Sequence, residues 1–476
     1  MNLITKEYSM TINGELVFTK ETIPVINPAN EEIVAQAPKA MKGDLDYAVK
    51  AARKAFIGWS NLPIEERANL LEQFADALLN HKEELANIFT LEMGRPLDGV
   101  FGSKEEISAA ATWFKEVAQL RLTREIIEEN EEHYVEKSYT PVGVTGLIIP
   151  WNFPVLLATW KISQALLVGN TIIVKPSPYT PLTTLKLGEI ANSIFPKGVF
   201  NVVNGQNELG QWMTEHPDID KISFTGSTET GKKVLQSSAG NLKRVTLELG
   251  GNDPAIILED ANPKVVAEQL FWGAFLNNGQ VCIAAKRIYV HENVYDEFLS
   301  EFVQYAKNIT VGDGMDPNTM IGPLQNKMQY EKVKDLIENT KQTGANIVLG
   351  GVIEDNPGYF IPITIVDNPP ESSRVVTEEA FGPIVPVIKY KDYEEVILKA
   401  NNTIHGLGAS VWGEDTELLN MIAERLEAGT VWINEIQVNH PNYPFGGIKQ
   451  SGLGVESGIE GLKEFTNRKV TMVKKK

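Results

Sequence analysis

Cysteine is almost absent from this chain: its 476 residues include one, Cys282. A single thiol excludes an intramolecular disulfide and a metal site built from several cysteines. The histidines are also few and lack the spacing of metal ligands, so we predict no metal site; they are residues 81, 133, 216, 291, 405 and 440. A free thiol suits a reducing compartment, and no apolar signal segment opens the sequence. We therefore expect a cytoplasmic protein.

Positive charge is scarce relative to negative charge. The 44 Lys and Arg residues face 62 Asp and Glu residues, which gives a net charge of −18. Such a field repels nucleic-acid phosphates and anionic lipid head groups, so neither is an expected partner. Residues 138–160 carry no charge, but Pro141, Pro150 and Pro154 would leave backbone groups unsatisfied in a membrane-spanning helix. A buried strand followed by a loop and a helix fits this segment better.

Short β-rich runs alternate with amphipathic helical patterns from about residue 142 onward. The first series of runs is 142–149, 171–175, 199–203, 221–224, 244–247 and 255–258. This alternation predicts an α/β fold with a mostly parallel sheet covered on both faces, and a second α/β series follows from residue 263. Segments 123–138 and 465–473 are predicted strands outside both cores, and pairing across subunits is one use for them.

Two chemically distinctive segments suggest covalent catalysis. Cys282 follows the polar, turn-forming residues 277–280, although a buried cysteine acting as a small hydrophobe is the ordinary alternative. Upstream, Glu248 lies between two leucines and just before Gly250 and Gly251. A thiol nucleophile and a base held on glycine-containing backbone are the groups that acyl chemistry needs.

Residues 224–233 follow a predicted strand and open a helix. Gly226, Ser227 and Thr228 would offer backbone N–H groups and hydroxyls to a phosphate, while an ordinary capped helix start is the alternative. The segment nearly matches the NTPase phosphate loop, but Lys233 stands where that motif needs a hydroxyl for Mg²⁺. An ATPase is therefore disfavoured.

Polar residues also stand at the ends of other predicted strands. Asn152 could donate to a developing oxyanion or simply cap the next helix. Lys175 ends a strand and could bind ribose or phosphate oxygens or remain solvated. Glu379 and Phe381 precede a turn, where a charged helix end is the simpler reading.

Together these segments resemble the aldehyde dehydrogenase superfamily over essentially the whole chain. The landmarks are 150–154 (Pro-Trp-Asn-Phe-Pro), 224–227, 247–254, 275–286, 379–383 and 444–447. The resemblance implies a Rossmann-like cofactor domain (1–121 and 142–249), an α/β catalytic domain (250–443) and a small bridging β-unit. Segments 122–141 and 444–476 would serve bridging and oligomerisation in a homodimer or homotetramer.

The resemblance also implies a hydrolytic, non-acylating mechanism. Cys282 would attack an aldehyde to form a thiohemiacetal, with the oxyanion held by Asn152 and the Cys282 backbone N–H. Hydride transfer to NAD⁺ or NADP⁺ would leave a thioester, which water activated by Glu248 would hydrolyse. A non-catalytic protein that kept the fold is the alternative from another class, and the intact Cys282, Glu248 and Asn152 set argues against it.

Two further groups of residues are implied by the resemblance. The cofactor group is Ile149, Trp151, Lys175, Ser177, Pro178, Gly226, Ser227, Leu249, Gln329, Glu379 and Phe381. Pro178 stands where many NAD-preferring relatives carry a glutamate, so the preference between NAD and NADP stays open. The substrate group is apolar and favours uncharged aliphatic or aromatic aldehydes; it comprises Phe153, Leu156, Leu157, Trp160, Val281, Ile283 and Phe445.

Overall fold

The computed structural model describes residues 7–475, which form twenty strands in four sheets. The strands are β1 (Met10–Ile12), β2 (Glu15–Val17), β3 (Thr22–Ile26), β4 (Ile33–Pro38), β5 (Glu125–Glu129), β6 (His133–Pro141), β7 (Val144–Ile148), β8 (Thr171–Lys175), β9 (Phe200–Val202), β10 (Lys221–Thr225), β11 (Arg244–Glu248), β12 (Asp253–Ile257), β13 (Ala285–His291), β14 (Asn346–Leu349), β15 (Thr364–Asp367), β16 (Ile384–Tyr390), β17 (Gly408–Trp412), β18 (Thr430–Ile433), β19 (Gly452–Leu453) and β20 (Thr466–Lys474).

Fifteen α-helices of this part of the chain cover the sheets. They are α1 (Lys42–Asn61), α2 (Ile64–Asn80), α3 (Lys82–Met93), α4 (Ser103–Ala118), α5 (Leu156–Leu167), α6 (Leu182–Ala191), α7 (Asn207–Glu215), α8 (Thr228–Ser238), α9 (Pro263–Phe275), α10 (Tyr295–Ala306), α11 (Lys327–Gln342), α12 (Arg374–Thr377), α13 (Tyr393–Asn401), α14 (Thr416–Arg425) and α15 (Gly458–Glu464). None of the helices within residues 7–475 is long and apolar enough to cross a membrane.

The first large sheet has the strand order β19-β11-β10-β7-β8-β9-β1-β2. Its five central strands, β11 to β9 in that order, are parallel, and β7, β8 and β10 are buried at every position. Buried parallel strands with helical connections confirm the predicted Rossmann-like α/β architecture. At one edge β19 pairs antiparallel with β11, so the segment 444–476 also contributes to this sheet.

The second large sheet has the order β14-β15-β16-β13-β12-β17-β18 and is parallel except for β14. Separate hydrophobic clusters pack against its two faces. The short chain segment between β11 and β12 connects the two large sheets, and Glu248 lies at its start. The polar ends of strands from both sheets therefore meet close to this connection.

The two predicted strands outside the cores pair with each other within the same chain. β20 lies antiparallel to β6, and β5 lies on the other side of β6. Pairing across subunits is thus not needed to give these strands a neighbour, because nine residues of β20 are already in register with β6. The sequence analysis did not predict β1–β4, and β3 and β4 form a separate hairpin ahead of the first helix.

Candidate active site

Three candidate catalytic side chains converge where strands of the two large sheets end. Glu248 is the last residue of β11, and Asn152 follows β7 in the same sheet. Cys282 lies in the loop that leads into β13 of the second sheet. The Nδ2 of Asn152 donates to the carbonyl oxygen of Gln280 at 2.9 Å, two residues before Cys282. This hydrogen bond joins the two sheets at the candidate nucleophile.

The loop before Cys282 is held in an uncommon backbone conformation. Asn277, Asn278 and Gly279 have φ values of 50°, 58° and 72°, in the left-handed region that asparagine and glycine tolerate best. A Cβ on Gly279 would also collide with the carbonyl of Gly382. The side chain of Gln280 fastens the loop from within, because its Nε2 donates to the Asn277 carbonyl at 2.8 Å. The loop therefore presents Cys282 from a fixed position.

Cys282 is free and only partly buried, unlike a cysteine that merely fills a core. Desolvation nevertheless raises the pKa of its thiol to about 12, and Asp253, Glu248 and Glu379 raise it further. Lys286 acts in the opposite direction. In this state the thiol is protonated at neutral pH, so a nucleophilic thiolate needs added positive charge or a base.

Glu248 is buried, and both of its carboxylate oxygens lack a hydrogen-bond partner among the described residues. Burial raises the pKa of this carboxyl well above its usual range, and the neighbouring Glu456 raises it further while Lys161 opposes the shift. A carboxylate with no fixed partner and a raised pKa has a higher proton affinity than an exposed one, as a general base needs. Its arrangement fits a group that accepts a proton from water.

Behind Glu248 lies a buried ion pair between Lys161 and Glu456. The Oε1 of Glu456 also accepts a hydrogen bond from the Ser223 hydroxyl at 2.8 Å, whereas its Oε2 has no partner in residues 7–475. The charges of this pair act on Glu248, as its shifted pKa shows. Sequence reasoning missed both residues because each stands in an ordinary helical or loop context.

A second buried ion pair, which the sequence also did not reveal, supports the Asn152 loop. The Arg95 guanidinium pairs with Glu106 at 2.5 Å and donates to the Asn152 carbonyl oxygen at 2.7 Å. It lies 4.1 Å from the centre of the Phe153 ring. Glu106 in turn accepts the backbone N–H of Val155 at 3.1 Å, at the start of α5. The pair therefore fixes the backbone on which Asn152 stands.

We expect Arg95→Met to lower the free energy of unfolding by about 3–5 kcal/mol, because it leaves the buried Glu106 carboxylate without its cation. Arg95→Lys keeps the charge but loses the forked contacts, so its loss should be smaller. Urea unfolding of both variants beside the wild type measures this. A loss below about 1 kcal/mol for Arg95→Met would contradict the assigned role.

Candidate phosphate- and ribose-binding residues lie along the carboxyl edge of the first sheet. Ser227 caps α8, and its Oγ accepts the backbone N–H of Thr230 at 3.3 Å. Gly226 precedes it, and its N–H donates to the Glu248 carbonyl at 3.0 Å. Leu249 packs on the same helix, since a Cβ on Gly231 would lie 2.5 Å from its side chain. A helix start with an exposed serine is a suitable place for a phosphate.

Lys175 ends β8 and is buried, and its Nζ donates to the Pro176 carbonyl at 3.2 Å. No carboxylate within residues 7–475 forms an ion pair with it, and burial lowers its pKa to about 8. A buried cation without an anionic partner fits ribose or phosphate oxygens. Ser177 is also buried and accepts the Tyr179 N–H at 3.3 Å, while Pro178 is partly exposed.

Glu379 and Phe381 reach the same region from the loop before β16 of the second sheet. The Glu379 Oε1 accepts the N–H of Gly251 at 3.1 Å. The Phe381 ring lies edge-on to that of Trp151, with 5.4 Å between the ring centres. Gln329 holds the backbone of this segment in place, which is a different role from that of a ligand-binding group. Its Nε2 donates to the carbonyls of Ala380 and Phe381 at 2.9 Å. Ile149 is buried nearby, directly after β7.

These residues fit a dinucleotide by their chemistry. The helix start at Ser227 offers donors for a pyrophosphate, Lys175 offers an unpaired ammonium, and Glu379 offers acceptor oxygens for ribose hydroxyls. Trp151 and Phe381 add flat apolar surface. The groups come from segments of both large sheets, so a ligand that contacts them all lies across the connection between the sheets.

The predicted substrate residues belong to one hydrophobic cluster, against which Cys282 and Leu156 pack. The buried members are Phe153, Leu157, Trp160, Val281, Ile283 and Phe445. Trp160 stacks on Trp113 with ring centres 4.8 Å apart and meets Phe445 edge-on at 5.5 Å. Trp113 was not predicted, because the pattern of α4 was not recognised. Stacked aromatic rings thus belong to the same hydrophobic cluster against which the candidate nucleophile packs.

Comparison with known proteins agrees with this arrangement. Residues 17–471 match the model of the aldehyde dehydrogenase family. The cytosolic aldehyde dehydrogenase 1 of Rattus norvegicus is 39% identical over 477 residues, covering 99% of this chain and 94% of its own. The structure of the NAD⁺ complex of a Bacillus cereus aldehyde dehydrogenase is 39% identical, with a TM-score of 0.97 over 100% of this chain and 98% of that one. An E. coli NADP-dependent enzyme is 36% identical, with a TM-score of 0.95 over 98% of both chains.

Proposed function

Since the chain belongs to the aldehyde dehydrogenase family and is an NAD(P)⁺-dependent aldehyde dehydrogenase, we propose that it oxidises uncharged aliphatic or aromatic aldehydes to carboxylic acids through a thioester on Cys282. The observation that carries this proposal is the convergence of Cys282, the unpaired carboxylate of Glu248 and the amide of Asn152 at the ends of strands. These three groups supply a nucleophile, a base and an oxyanion donor.

In the first half of the reaction, the Cys282 thiolate attacks the aldehyde carbon and forms a thiohemiacetal oxyanion. The Cys282 backbone N–H and the Asn152 side chain donate to this oxygen. One hydrogen of the Asn152 amide bonds to Gln280, which leaves the second for the oxyanion. Each such donor lowers the barrier by about 3 kcal/mol.

When bound, the coenzyme would supply the hydride acceptor, and loss of hydride from the thiohemiacetal carbon would leave Cys282 as a thioester. The Ser227 helix start would hold the pyrophosphate, and Lys175 and Glu379 would hold the riboses. Trp151 and Phe381 border the same cleft. These assignments rest on the fit between donor types and ligand oxygens.

In the second half, Glu248 accepts a proton from water as the water oxygen attacks the thioester carbon. The C–S bond breaks, the carboxylic acid leaves, and the Cys282 thiol is regenerated. The raised pKa of Glu248 suits this step, because it increases the affinity of the carboxylate for the proton that it accepts from water.

Coenzyme preference is tested by Pro178→Glu. A carboxylate at this position would accept hydrogen bonds from ribose hydroxyls and repel a 2′-phosphate. We expect the ratio of kcat/KM for NAD⁺ to that for NADP⁺ to rise by about tenfold or more, which corresponds to about 1.4 kcal/mol of discrimination. Measurement of NAD(P)H formation with both coenzymes gives the ratio.

Pro178→Gln is the matched control, because it also removes the proline ring but adds no charge. A small change in the ratio for this variant would assign the effect of Pro178→Glu to charge. If the wild type shows negligible activity with NADP⁺ and Pro178→Glu leaves the ratio unchanged, the role assigned to this position is wrong.

The proposed substrate class rests on the apolar cluster around Cys282. Arg95 contacts the Phe153 ring of this cluster, but it is buried and its charge is already paired with Glu106, so it is not open to a substrate carboxylate. We expect aliphatic and aromatic aldehydes to have kcat/KM values about tenfold or more above that of succinic semialdehyde, because its buried carboxylate would lack a partner.

A panel of aldehydes, each with NAD⁺ and NADP⁺, tests the function and the substrate class together. The product of each active pair should be the free carboxylic acid, formed in equal amount to the reduced coenzyme. Folded protein that oxidises no aldehyde in the panel would contradict the proposed function. A clear preference for succinic semialdehyde would contradict only the substrate class.

We further propose that residues 1–121 and 142–249 bind the coenzyme, that 250–443 carry the nucleophile, and that the chain forms a homodimer or homotetramer. The antiparallel sheet of β5, β6 and β20 supports assembly, because Ile126, Ile127, Val470, Met472 and Val473 are exposed on its strands. Sedimentation as a monomer at micromolar concentration would contradict it. A cytoplasmic location, as in the name of the rat relative, is checked by cell fractionation.

A further inference from the structure

Lys286 connects two parts of the site that the mechanism above treats separately. It lies at the start of β13, and its Nζ donates to the carbonyl oxygen of Cys282 at 2.5 Å. The same Nζ lies 3.5 Å from the Oε1 of Glu379. Only 5% of the Lys286 side chain is exposed. One buried ammonium thus contacts the backbone of the nucleophile and the carboxylate assigned to a coenzyme ribose.

A second carboxylate, that of Asp253, shares this buried space. Both of its oxygens lack a hydrogen-bond partner among the described side chains, and burial raises its pKa to about 7 while Lys286 opposes the shift. Glycine at positions 250 and 251 lets Glu379, Asp253 and the Cys282 carbonyl approach this backbone closely. A Cβ on Gly251 would collide with Asp253 and lie 2.7 Å from the Cys282 carbonyl oxygen, and a Cβ on Gly250 would collide with Glu379.

Resting on the proposed function, in which Cys282 is the nucleophile and Glu379 binds the coenzyme, we propose that Lys286 is a positioning residue that anchors the Cys282 backbone and supplies the positive charge favouring its thiolate. Glu379 and Asp253 compete for that charge. The sulfur of a cysteine is only four covalent bonds from its own carbonyl oxygen, so an ammonium on that oxygen also lies near the sulfur. In a buried site such a charge is weakly screened.

Coenzyme binding at Glu379 should therefore increase the fraction of Cys282 that is thiolate. Ribose hydroxyls that donate to Glu379 draw its negative charge away from Lys286, which leaves more of the positive charge for the thiolate. Linkage makes the effect reciprocal, so that thiolate formation and coenzyme binding favour each other by the same factor.

The signs of the expected effects follow from the groups that face the thiol. After desolvation, these are Lys286, Asp253, Glu248 and Glu379, of which Lys286 alone lowers the pKa of Cys282. Lys332 and His405 also lie close enough to Glu379 for its charge to act on them. Loss of Lys286 should raise the thiol pKa, whereas loss of the Glu379 charge should lower it. Opposite shifts from two contacting residues distinguish this role from a general loss of structure.

The experiment measures the rate at which iodoacetamide alkylates Cys282 from neutral to alkaline pH. Cys282 is the only cysteine, so the whole signal comes from one thiol. At neutral pH we expect Lys286→Met to slow alkylation by about tenfold, which corresponds to about one pKa unit, and Lys286→Arg to restore most of the rate. Glu379→Gln should accelerate alkylation severalfold, and much less when Lys286 is methionine.

A second arm compares alkylation with and without saturating NAD⁺. The coenzyme can also shield the thiol directly or act on it through its own charge, and these direct effects change the ratio of the two rates in every variant. The alkylation rate with NAD⁺ divided by the rate without it should be higher in the wild type than in Lys286→Met. Only the wild type has the lysine whose charge Glu379 competes for. Equal ratios in the two proteins would overturn the coupling.

Identical pH profiles for the wild type and a Lys286→Met protein of unchanged thermal unfolding would overturn the role of Lys286. If Lys286→Met does not fold, Glu379→Gln decides, since unchanged or slower alkylation contradicts the proposal. Turnover in Cys282→Ala tests the proposed function separately. Loss of that turnover together with identical alkylation profiles would reject the inference about Lys286 alone.

Discussion

Replacing Cys282 by alanine is expected to lower kcat for aldehyde oxidation by at least about ten-thousand-fold. In the proposed mechanism the thiol forms the covalent intermediate in both half-reactions, and removal of a nucleophile typically leaves only the small contribution of binding and of oxyanion donors. Coenzyme binding should persist, because Lys175, Ser227 and Glu379 lie on other elements. Steady-state formation of NAD(P)H and titration with NAD⁺ and NADP⁺ measure the two effects.

Cys282→Ser is the matched control, since it keeps a nucleophilic atom at nearly the same position. We expect this variant to be nearly as inactive as Cys282→Ala, because a hydroxyl is a far weaker acid than a thiol and so forms the attacking anion far less readily. A Cys282→Ala variant that retains more than about a tenth of the wild-type kcat would exclude covalent catalysis at this residue.

Glu248→Gln should have the second-largest effect, and it should act on the hydrolysis of the thioester. Glutamine keeps the size and polarity of the side chain but cannot accept a proton. Loss of a general base costs about a hundredfold to ten-thousandfold in rate. We therefore expect rapid formation of about one NAD(P)H per subunit, followed by a very slow steady state, as an acylated enzyme accumulates.

The pH dependence supplies a check on the same residue. Burial and Glu456 raise the pKa of Glu248, so its basic form is gained only as the pH rises through that shifted value. Wild-type hydrolysis should therefore increase across that range, and Glu248→Gln should lose this increase. Equal steady-state rates and equal pH profiles for the two proteins would show that Glu248 does not activate the water.

Much of the architecture was predictable because buried parallel strands have a strong sequence signature. The run 171–175 coincides with β8, and the run 142–149 contains β7. Both runs are mostly apolar, as the strands of a buried parallel sheet are. The hairpin of β3 and β4 was missed, because β3 has only five residues, β4 does not alternate regularly between exposed and buried positions, and both strands contain proline. Short edge strands depend on contacts that no local pattern specifies.

The candidate site was predictable where unusual residues mark it, as with the only cysteine and the glutamate before two glycines. The buried charged residues that support the site could not be predicted from the sequence. Arg95 and Lys286 look like surface residues in the sequence, and only the fold shows that each is buried against a carboxylate. Charged residues are rarely buried without a partner, and the partner here lies on a different element in each case. A single sequence does not show which distant segments pair with each other.

The mass of intact Glu248→Gln protein after mixing with an aldehyde and NAD⁺ tests the central claim most directly. We predict an adduct on Cys282 whose mass equals that of the aldehyde less two hydrogen atoms, as a thioester requires, and no such adduct in the Glu248→Gln, Cys282→Ala double variant. An unmodified Cys282 after NADH has formed would contradict a covalent thioester intermediate on this residue.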